Sequence, residues 1–386
     1  MNKYKFILSL LAIAVSTSIF AADDIKNESF NPLRTGVPSL SIAPDARGGG
    51  MGDIGAATEP DVNSQFWNPA KYAFAYSKAG VGFTYTPWLQ KLVDDIFLAY
   101  LSGYYKLGDS DRHAIGASLR YFSLGEVILT GPGNNSELGR TNPYEMAVDV
   151  SYSLKATETF SIAGALRFIY SDLGGGVSEE MSPATSVAAD IAGYYNNYVM
   201  MGSNECLLGL GFNVSNIGNK VSYDDGNTHS FLPTNLRLGG SLLFPLDDYN
   251  TLSVNADVNK LLVPTPKADY EDGEAWDEYT SQSPISGIFK SFADAPGGFK
   301  EELEEVSWSL GAEYAYDNRF FVRGGYFHES QSKGNRQFFS LGAGFKLTAF
   351  QLDVSYLIST VPSNPLDQTL RFSLSFDLDG LKNLMN

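Results

Sequence analysis

From Lys78 onward the chain alternates apolar with small or polar residues in segments of about ten, the period and length of a strand that crosses a bilayer at a tilt. In LRFSLSF, Leu370, Phe372, Leu374 and Phe376 point one way, and Arg371, Ser373 and Ser375 the other. The same parity holds over residues 146–154, 236–242, 252–258, 306–314 and 350–358. Segments of this kind begin near Ala79, Ile96, His113, Tyr144, Phe160, Ala184, Cys206, Thr234, Thr251, Val306, Arg319, Arg336, Phe350 and Gln368, which makes fourteen. An even number lets both ends of the barrel chain lie on one side of a membrane. The pattern predicts an all-β protein, a 14-stranded antiparallel transmembrane β-barrel over residues 78–377, followed by a tail at 378–386 that is read as a periplasmic appendage.

The connections alternate as well. GDSDR, KATET, PLDDYN, YDNR and LTA are tight links, with NYVMMGSNE a somewhat longer one, and all six are read as periplasmic turns. Between them lie GEVILTGPGNNSELGRTNP, NKVSYDDGNTHSFLP and the stretch 263–305, which match outward-facing loops. Both termini are then expected on the periplasmic side.

Charge decides which parity faces lipid. A charge on the lipid face at the bilayer midplane costs roughly 2–4 kcal/mol, so the charged parity is expected to face the lumen. It holds Arg120, Arg167, Arg237 and Arg371 with Asp149, Asp190, Asp257, Asp353 and Glu313, whose signs nearly cancel. Such a lumen can cross-link itself or hold a plug, whereas an open pore for one ion sign would show a one-sided ring.

The acidic surplus lies elsewhere. Residues 263–305 carry eleven Asp or Glu against Lys267, Lys290 and Lys300. The plain reading is a solvated, self-repelling loop. Its DYEDGEAWDEY segment has carboxylates that could hold calcium but lacks EF-hand spacing. Next to Trp276, the residues Ile285, Ile288, Phe289 and Phe292 recur at helical spacing, an apolar face that could dock a partner or cap the barrel mouth.

Several classes of function drop out. The first residues combine Lys3 and Lys5, an apolar run and small residues ending at Ala21 and Ala22, a secretory signal peptide over 1–21. After it no apolar run is long enough for a spanning helix. The net charge of −17 excludes nucleic acid as a partner. A single cysteine, Cys206, rules out an internal disulfide framework, and His113, His229 and His328 lie too far apart for a His-rich metal site, so no metal or cofactor is expected. The same three histidines, without a G-x-S-x-G elbow, give no support to a hydrolase, and no enzyme is expected. Aromatic residues reach 13% while mean hydropathy is only −0.12, as suits strands that need just one greasy face.

One motif raises a rival. GMGDIG, residues 50–55, fits the G-x-G-x-x-G dinucleotide signature, which works only between a buried strand and a helix. Pro44 and Pro60 break both flanks, and the nucleotide reading fails. Residues 22–77 have no regular period and are either a disordered tail or an internal plug. The plug is favoured, because Gly48, Gly49, Gly50, Gly52 and Gly55 permit close backbone approach and FWNPA reads as an anchored turn, with Trp67 packed, Asn68 held extended before Pro69, and Ala70 following.

The stretch ARGGGMGDIGAATEPDVNSQFWNPAKYAF resembles the N-terminal signature of the FadL-like barrels, in which such a segment forms a hatch inside fourteen strands. More closely, RGGGMGDIGAATEPDVNSQFWNPA and the chain length resemble the PorV family of the type IX secretion system in Bacteroidota, and secondarily its relative PorQ. The resemblance implies a shuttle of the outer membrane, in contact with its lipid. It would engage the SprA translocon, receive the C-terminal domains of secreted cargo, and deliver cargo to an attachment complex with PorU, PorQ and PorZ. The alternative is a FadL-like channel for uptake of long-chain fatty acids or other hydrophobic compounds. A continuous apolar pocket would mark the channel, and a filled polar core the docking barrel.

Overall fold

The computed structural model describes residues 30–385 apart from 90–92, 94, 109–110, 131–136, 175–180, 267–278, 280 and 362–365. The signal segment, Trp276 and nearly all of DYEDGEAWDEY lie outside the described residues.

Alternation along the chain produces strands with one apolar face, and such strands survive in lipid only when every backbone N–H and C=O is paired, which requires closure. The strands are β1 (Ala79–Pro87), β2 (Ile96–Leu107), β3 (His113–Leu124), β4 (Val127–Thr130), β5 (Glu137–Thr141), β6 (Tyr144–Lys155), β7 (Phe160–Asp172), β8 (Ala184–Met201), β9 (Asn204–Gly218), β10 (Asn235–Pro245), β11 (Asn250–Leu261), β12 (Val306–Tyr316), β13 (Phe320–His328), β14 (Gln337–Lys346), β15 (Phe350–Ser359) and β16 (Leu370–Asp377). All but β4 and β5 form one closed barrel of fourteen antiparallel strands, sealed where β1 meets β16 from Gly80↔Asp377 to Tyr85↔Phe372.

The expected parity is present strand by strand. Val81, Leu119, Val150, Leu166, Leu310, Val322, Leu341 and Phe372 are exposed on the outer face, while Ser102, Ser118, Asp149, Ser309, Ser340, Arg371 and Ser373 are buried on the inner one. A water-soluble fold would reverse this. Rings meet from strand to strand in a belt near the long connections, Tyr85–Phe97–Tyr121–Tyr144–Tyr170, with neighbouring centroids 5.5–6.0 Å apart. Near the opposite rim the ring pairs His113–Tyr152 and Phe320–Phe345 lie with centroids 6.0 and 5.0 Å apart. Two such belts suit the two interfaces of a bilayer.

The tight links gather at one end. Asp317 and Asn318 both take positive φ between β12 and β13, the geometry that lets a two-residue turn follow the strand twist. One expectation is corrected: NYVMMGSNE is not a loop, because β8 runs to Met201, β9 resumes at Asn204, and Gly202 at φ +68° makes the turn. Asn196, Asn197, Ser203 and Asn204 flank the short apolar run Tyr198–Met201, so this hairpin shows no strict alternation and its sequence looks like a turn. A second correction concerns residues 125–143, where β4 and β5 form a separate hairpin inside the expected loop. The C-terminal tail is also regular, a helix over Leu378–Met385. Asp379 accepts from the Lys78 backbone N–H at 2.8 Å and ties that helix to the start of the barrel.

Candidate functional site: the filled lumen and the long-connection rim

Residues 37–76 touch inward-facing groups on strands around the whole ring. They contain short turns of helix at Pro38–Ser41, Ala46–Gly49, Ser64–Trp67 and Pro69–Phe74. Asp45 organises them. One carboxylate oxygen accepts the Gly48 N–H at 2.8 Å and caps the Ala46–Gly49 turn; the other accepts Trp67 Nε1 at 2.5 Å. The glycine run and FWNPA are thereby locked together. Burial, followed by the charge of Asp61, pushes the Asp45 carboxyl up to about 6. Asn68 is extended at φ −169°, ψ 98°; its side chain accepts from Ala70 N–H and donates to the carbonyls of Ala56 and Gly193.

The glycines are sites of contact. A Cβ on Gly48 or Gly55 would strike the Trp67 ring at 2.5 and 2.2 Å, and one on Gly49 the Arg371 guanidinium at 2.0 Å. Gly50 lies against Gly342, and Gly52, at φ +84°, against the Tyr326 backbone. The GMGDIG amides do cradle an anion: the N–H groups of Gly55 and Ala56 both donate to one Asp257 oxygen, at 2.9 and 3.0 Å. A wall carboxylate occupies the place that a phosphate would take. Lys71, fully buried, donates Nζ to the Gly55 carbonyl at 2.8 Å and to Thr58, and burial lowers its ammonium to about 8.

The lumenal charges resolve into separate knots. Arg167 bridges Asp149 at 3.0 Å and Asp190 at 2.9 Å, and Gln65 of the N-terminal segment donates to Asp149. Glu313 and Asp353 hold Arg323, at 2.5 and 2.6 Å. Glu313 also pairs with Arg47, itself bonded to Asp61, and Arg371 pairs with Asp53 at 2.6 Å. Arg323, Arg47 and Asp53 were absent from the sequence candidates. Arg323 was findable: it faces Glu313 directly across β12 and β13, on the same charged parity. Arg47 and Asp53 sit in an aperiodic segment, where parity says nothing.

A cavity of about 520 Å³ remains between segment and wall, lined by apolar residues such as Leu40, Ile42, Phe66 and Phe122 and by six cations with four carboxylates. Its carboxylates Asp149, Asp53, Glu329 and Glu305 pair with Arg167, Arg371, Arg336 and Lys333 respectively. Arg120 and Arg237 have no ion pair among the described residues. They lie over aromatic rings instead, Arg120 at 5.0 Å from the Phe66 centroid and Arg237 at 5.3 Å from Phe66 and 4.4 Å from Trp67.

At the rim, the C-terminal part of the acidic loop is paired, not self-repelling. Lys260 meets Glu302 at 3.0 Å and Glu305 at 2.7 Å, and Lys333 meets Glu301 and Glu305 at 2.5 and 3.1 Å. These contacts hold a helix over Phe299–Glu304 down on the barrel mouth. Above them the helix Pro284–Lys290, capped by Ser283, lays buried Gly287 against Pro264. Ile285, Phe289 and Phe292 face outward with Phe299 and Leu303, more than half exposed, and Ile288 turns partly inward. The face therefore does not cap the mouth.

Burial, with the charges of Glu302 and Glu305 adding to it, pushes Asp294 beside Thr265 up to about 6 from an ordinary value of 3.8. A carboxyl raised by folding favours the native loop below its unfolded pKa, and that contribution is lost as pH rises through the folded value. Residues 281–305 should exchange amide hydrogen faster at pH 7.5 than at pH 5 after correction for intrinsic rates. Asp294→Asn should flatten the difference; an unchanged pH dependence in that variant would assign it to another group.

A family model described as type IX secretion system protein PorV matches residues 25–268. No curated protein matches the sequence. Among solved structures the chain is similar to the Pseudomonas putida toluene transporter TodX, with a TM-score of 0.50 and 10% identity over 90% of this chain and 99% of that one. It is similar also to the Ralstonia pickettii toluene transporter TbuX, with a TM-score of 0.45 and 13% identity over 87% and 96% of the two chains. A Pseudomonas aeruginosa FadL homologue gives 0.45 and 13% over 90% and 100%. The likeness to TodX is one of fold alone.

Proposed function

We propose, from the premise that this chain belongs to the PorV family of type IX secretion system proteins, that it is an outer-membrane docking barrel that binds the SprA translocon and the C-terminal domain of secreted cargo. It passes that cargo to the cell-surface attachment complex with PorU, PorQ and PorZ. In this reading the tight turns and both termini face the periplasm, and the long connections face outward. The lumen is plugged and the exposed loops do the work.

The observation that carries the proposal is the attachment of residues 37–76 to the inner wall. Residues 37–76 are tied to the wall by Arg47–Glu313, Arg371–Asp53, Gln65–Asp149 and the Asp257 nest. A passage for long-chain fatty acids would favour a continuous apolar path, whereas the apolar lining of the space left here is interrupted by six cations and four carboxylates. With the interior occupied, the most available recognition surface is the rim, where Ile285, Phe289, Phe292, Phe299 and Leu303 stand clear of the barrel beside a run of carboxylates. Large apolar side chains exposed together mark contact surfaces.

Affinity isolation of the full chain from native outer membranes tests this. Wild type should retain the translocon and cargo C-terminal domains. The double variant Phe289→Ser/Phe299→Ser should lose about tenfold of that capture while still folding as a barrel, because truncating exposed anchor residues removes binding and leaves the core alone. Undiminished capture by the variant would move the contact surface elsewhere. Absence of translocon and cargo from the wild-type isolate would defeat the docking role itself.

A further inference from the structure

Among the cations that line the lumenal cavity, Arg120 and Arg237 are the two that form no ion pair with a described carboxylate. Arg120 is 4% exposed. Its Nη1 donates to the carbonyls of Ser39, at 2.5 Å, and Ile42, at 3.0 Å, while its buried Nη2 has no hydrogen-bond partner among the described residues. Arg237 donates Nε to Asn259 at 2.8 Å, and its buried Nη1 is likewise without a partner. Both guanidinium groups lie against the Phe66 ring. An aromatic face offsets part of a cation's charge but accepts no strong hydrogen bond, and a buried N–H with no acceptor is costly. Two guanidinium groups with free donors at one cavity call for an oxyanion, whose paired oxygens match their fork.

We infer that the lumen binds a small oxyanion, a carboxylate or a phosphate monoester, between Arg120 and Arg237 beside Phe66. Leu40, Ile42 and Phe122 in the same wall leave room for a short apolar body on the anion. The consequence is mechanical. Arg120 belongs to β3 and grips the Ser39 and Ile42 carbonyls, and Arg237 belongs to β10 and lies over Trp67, so a bound anion fastens the N-terminal segment to two separated strands. This inference does not depend on the docking role.

The test uses the full chain in a neutral detergent, titrated calorimetrically with inorganic phosphate, butyl phosphate, butyrate and, as the uncharged control, butanol. At least one anionic probe should bind with one-to-one stoichiometry and slow proteolysis within residues 37–76, and butanol should do neither. Binding by the phosphates alone assigns a phosphate ligand, and binding by butyrate alone a carboxylate. Arg120→Gln and Arg237→Gln should each weaken the anion about tenfold or more, the loss expected for one charge-assisted hydrogen bond. Arg120→Lys and Arg237→Lys, which keep the charge, should recover part of the affinity and serve where a Gln variant does not fold. Equal binding of butanol and the anions, no binding by any probe, or wild-type affinity in both Gln variants would overturn the assignment.

Discussion

Gly325→Val should unseat the N-terminal segment while leaving the barrel closed. A Cβ at Gly325 would lie 2.0 and 2.1 Å from the carbonyl carbon and oxygen of Met51 and 2.5 Å from the Gly52 nitrogen. These are backbone atoms and no rotamer relieves them. Overpacking normally costs about 1–3 kcal/mol where side chains can shift; here the segment itself must move, and Met51 and Gly52 carry the neighbouring turn with them. The strand ladder asks nothing of the Gly325 side chain, and valine suits a strand. The expected readouts are rapid proteolysis within residues 37–76 and a rise in ion conductance across planar bilayers, with heat-resistant barrel mobility retained on gels. Gly324→Val is the control, because a Cβ there meets nothing nearer than 3.9 Å, and it should change neither readout. If Gly325→Val stays protected and closed, the fit between segment and wall is looser than these distances say.

The same contact shows what the sequence could convey. Strand starts were legible because lipid on one side and a polar interior on the other force period two. Of the fourteen expected starts, those at Ala79, Ile96, His113, Tyr144, Phe160, Ala184, Val306 and Phe350 coincide with observed ones, and the rest lie within about two residues. The pattern failed where that constraint ends. In the β8–β9 hairpin Asn196, Asn197 and Asn204 surround the apolar run Tyr198–Met201, so no alternation marks it. Inside the barrel, parity could say that Asp257 and Gly325 face inward but not what each meets. Asp257 meets two segment amides and Gly325 meets Met51. Which cations remain without an ion pair was also hidden, since Arg371 pairs with Asp53 from the segment while Arg237 has no ion pair among the described residues.

The ion-pair knot at Glu313 should show the largest electrostatic effect. Glu313 is 5% exposed and serves two arginines, Arg323 on the neighbouring strand and Arg47 on the N-terminal segment. Breaking a buried pair from one side costs about 3–5 kcal/mol, because the stranded charge keeps its desolvation penalty and loses its compensation. Glu313→Gln strands two at once, although Arg323 retains Asp353 and Arg47 retains Asp61, so the lower end, about 3 kcal/mol, is expected. The loss should appear as a lower unfolding midpoint in urea and as faster proteolysis within residues 37–76. Asp353→Asn separates the two effects: among the described residues Asp353 is hydrogen-bonded to Arg323 and Gln351 on the wall and to none of the segment, so it should lower the midpoint and leave proteolysis unchanged. In a double-mutant cycle, Arg47→Gln should cost less in the Glu313→Gln background than alone, since the pair is already gone. Strict additivity would mean that Arg47 gains its stability from Asp61 and the Glu59 carbonyl, and that the segment is anchored to itself and not to β12.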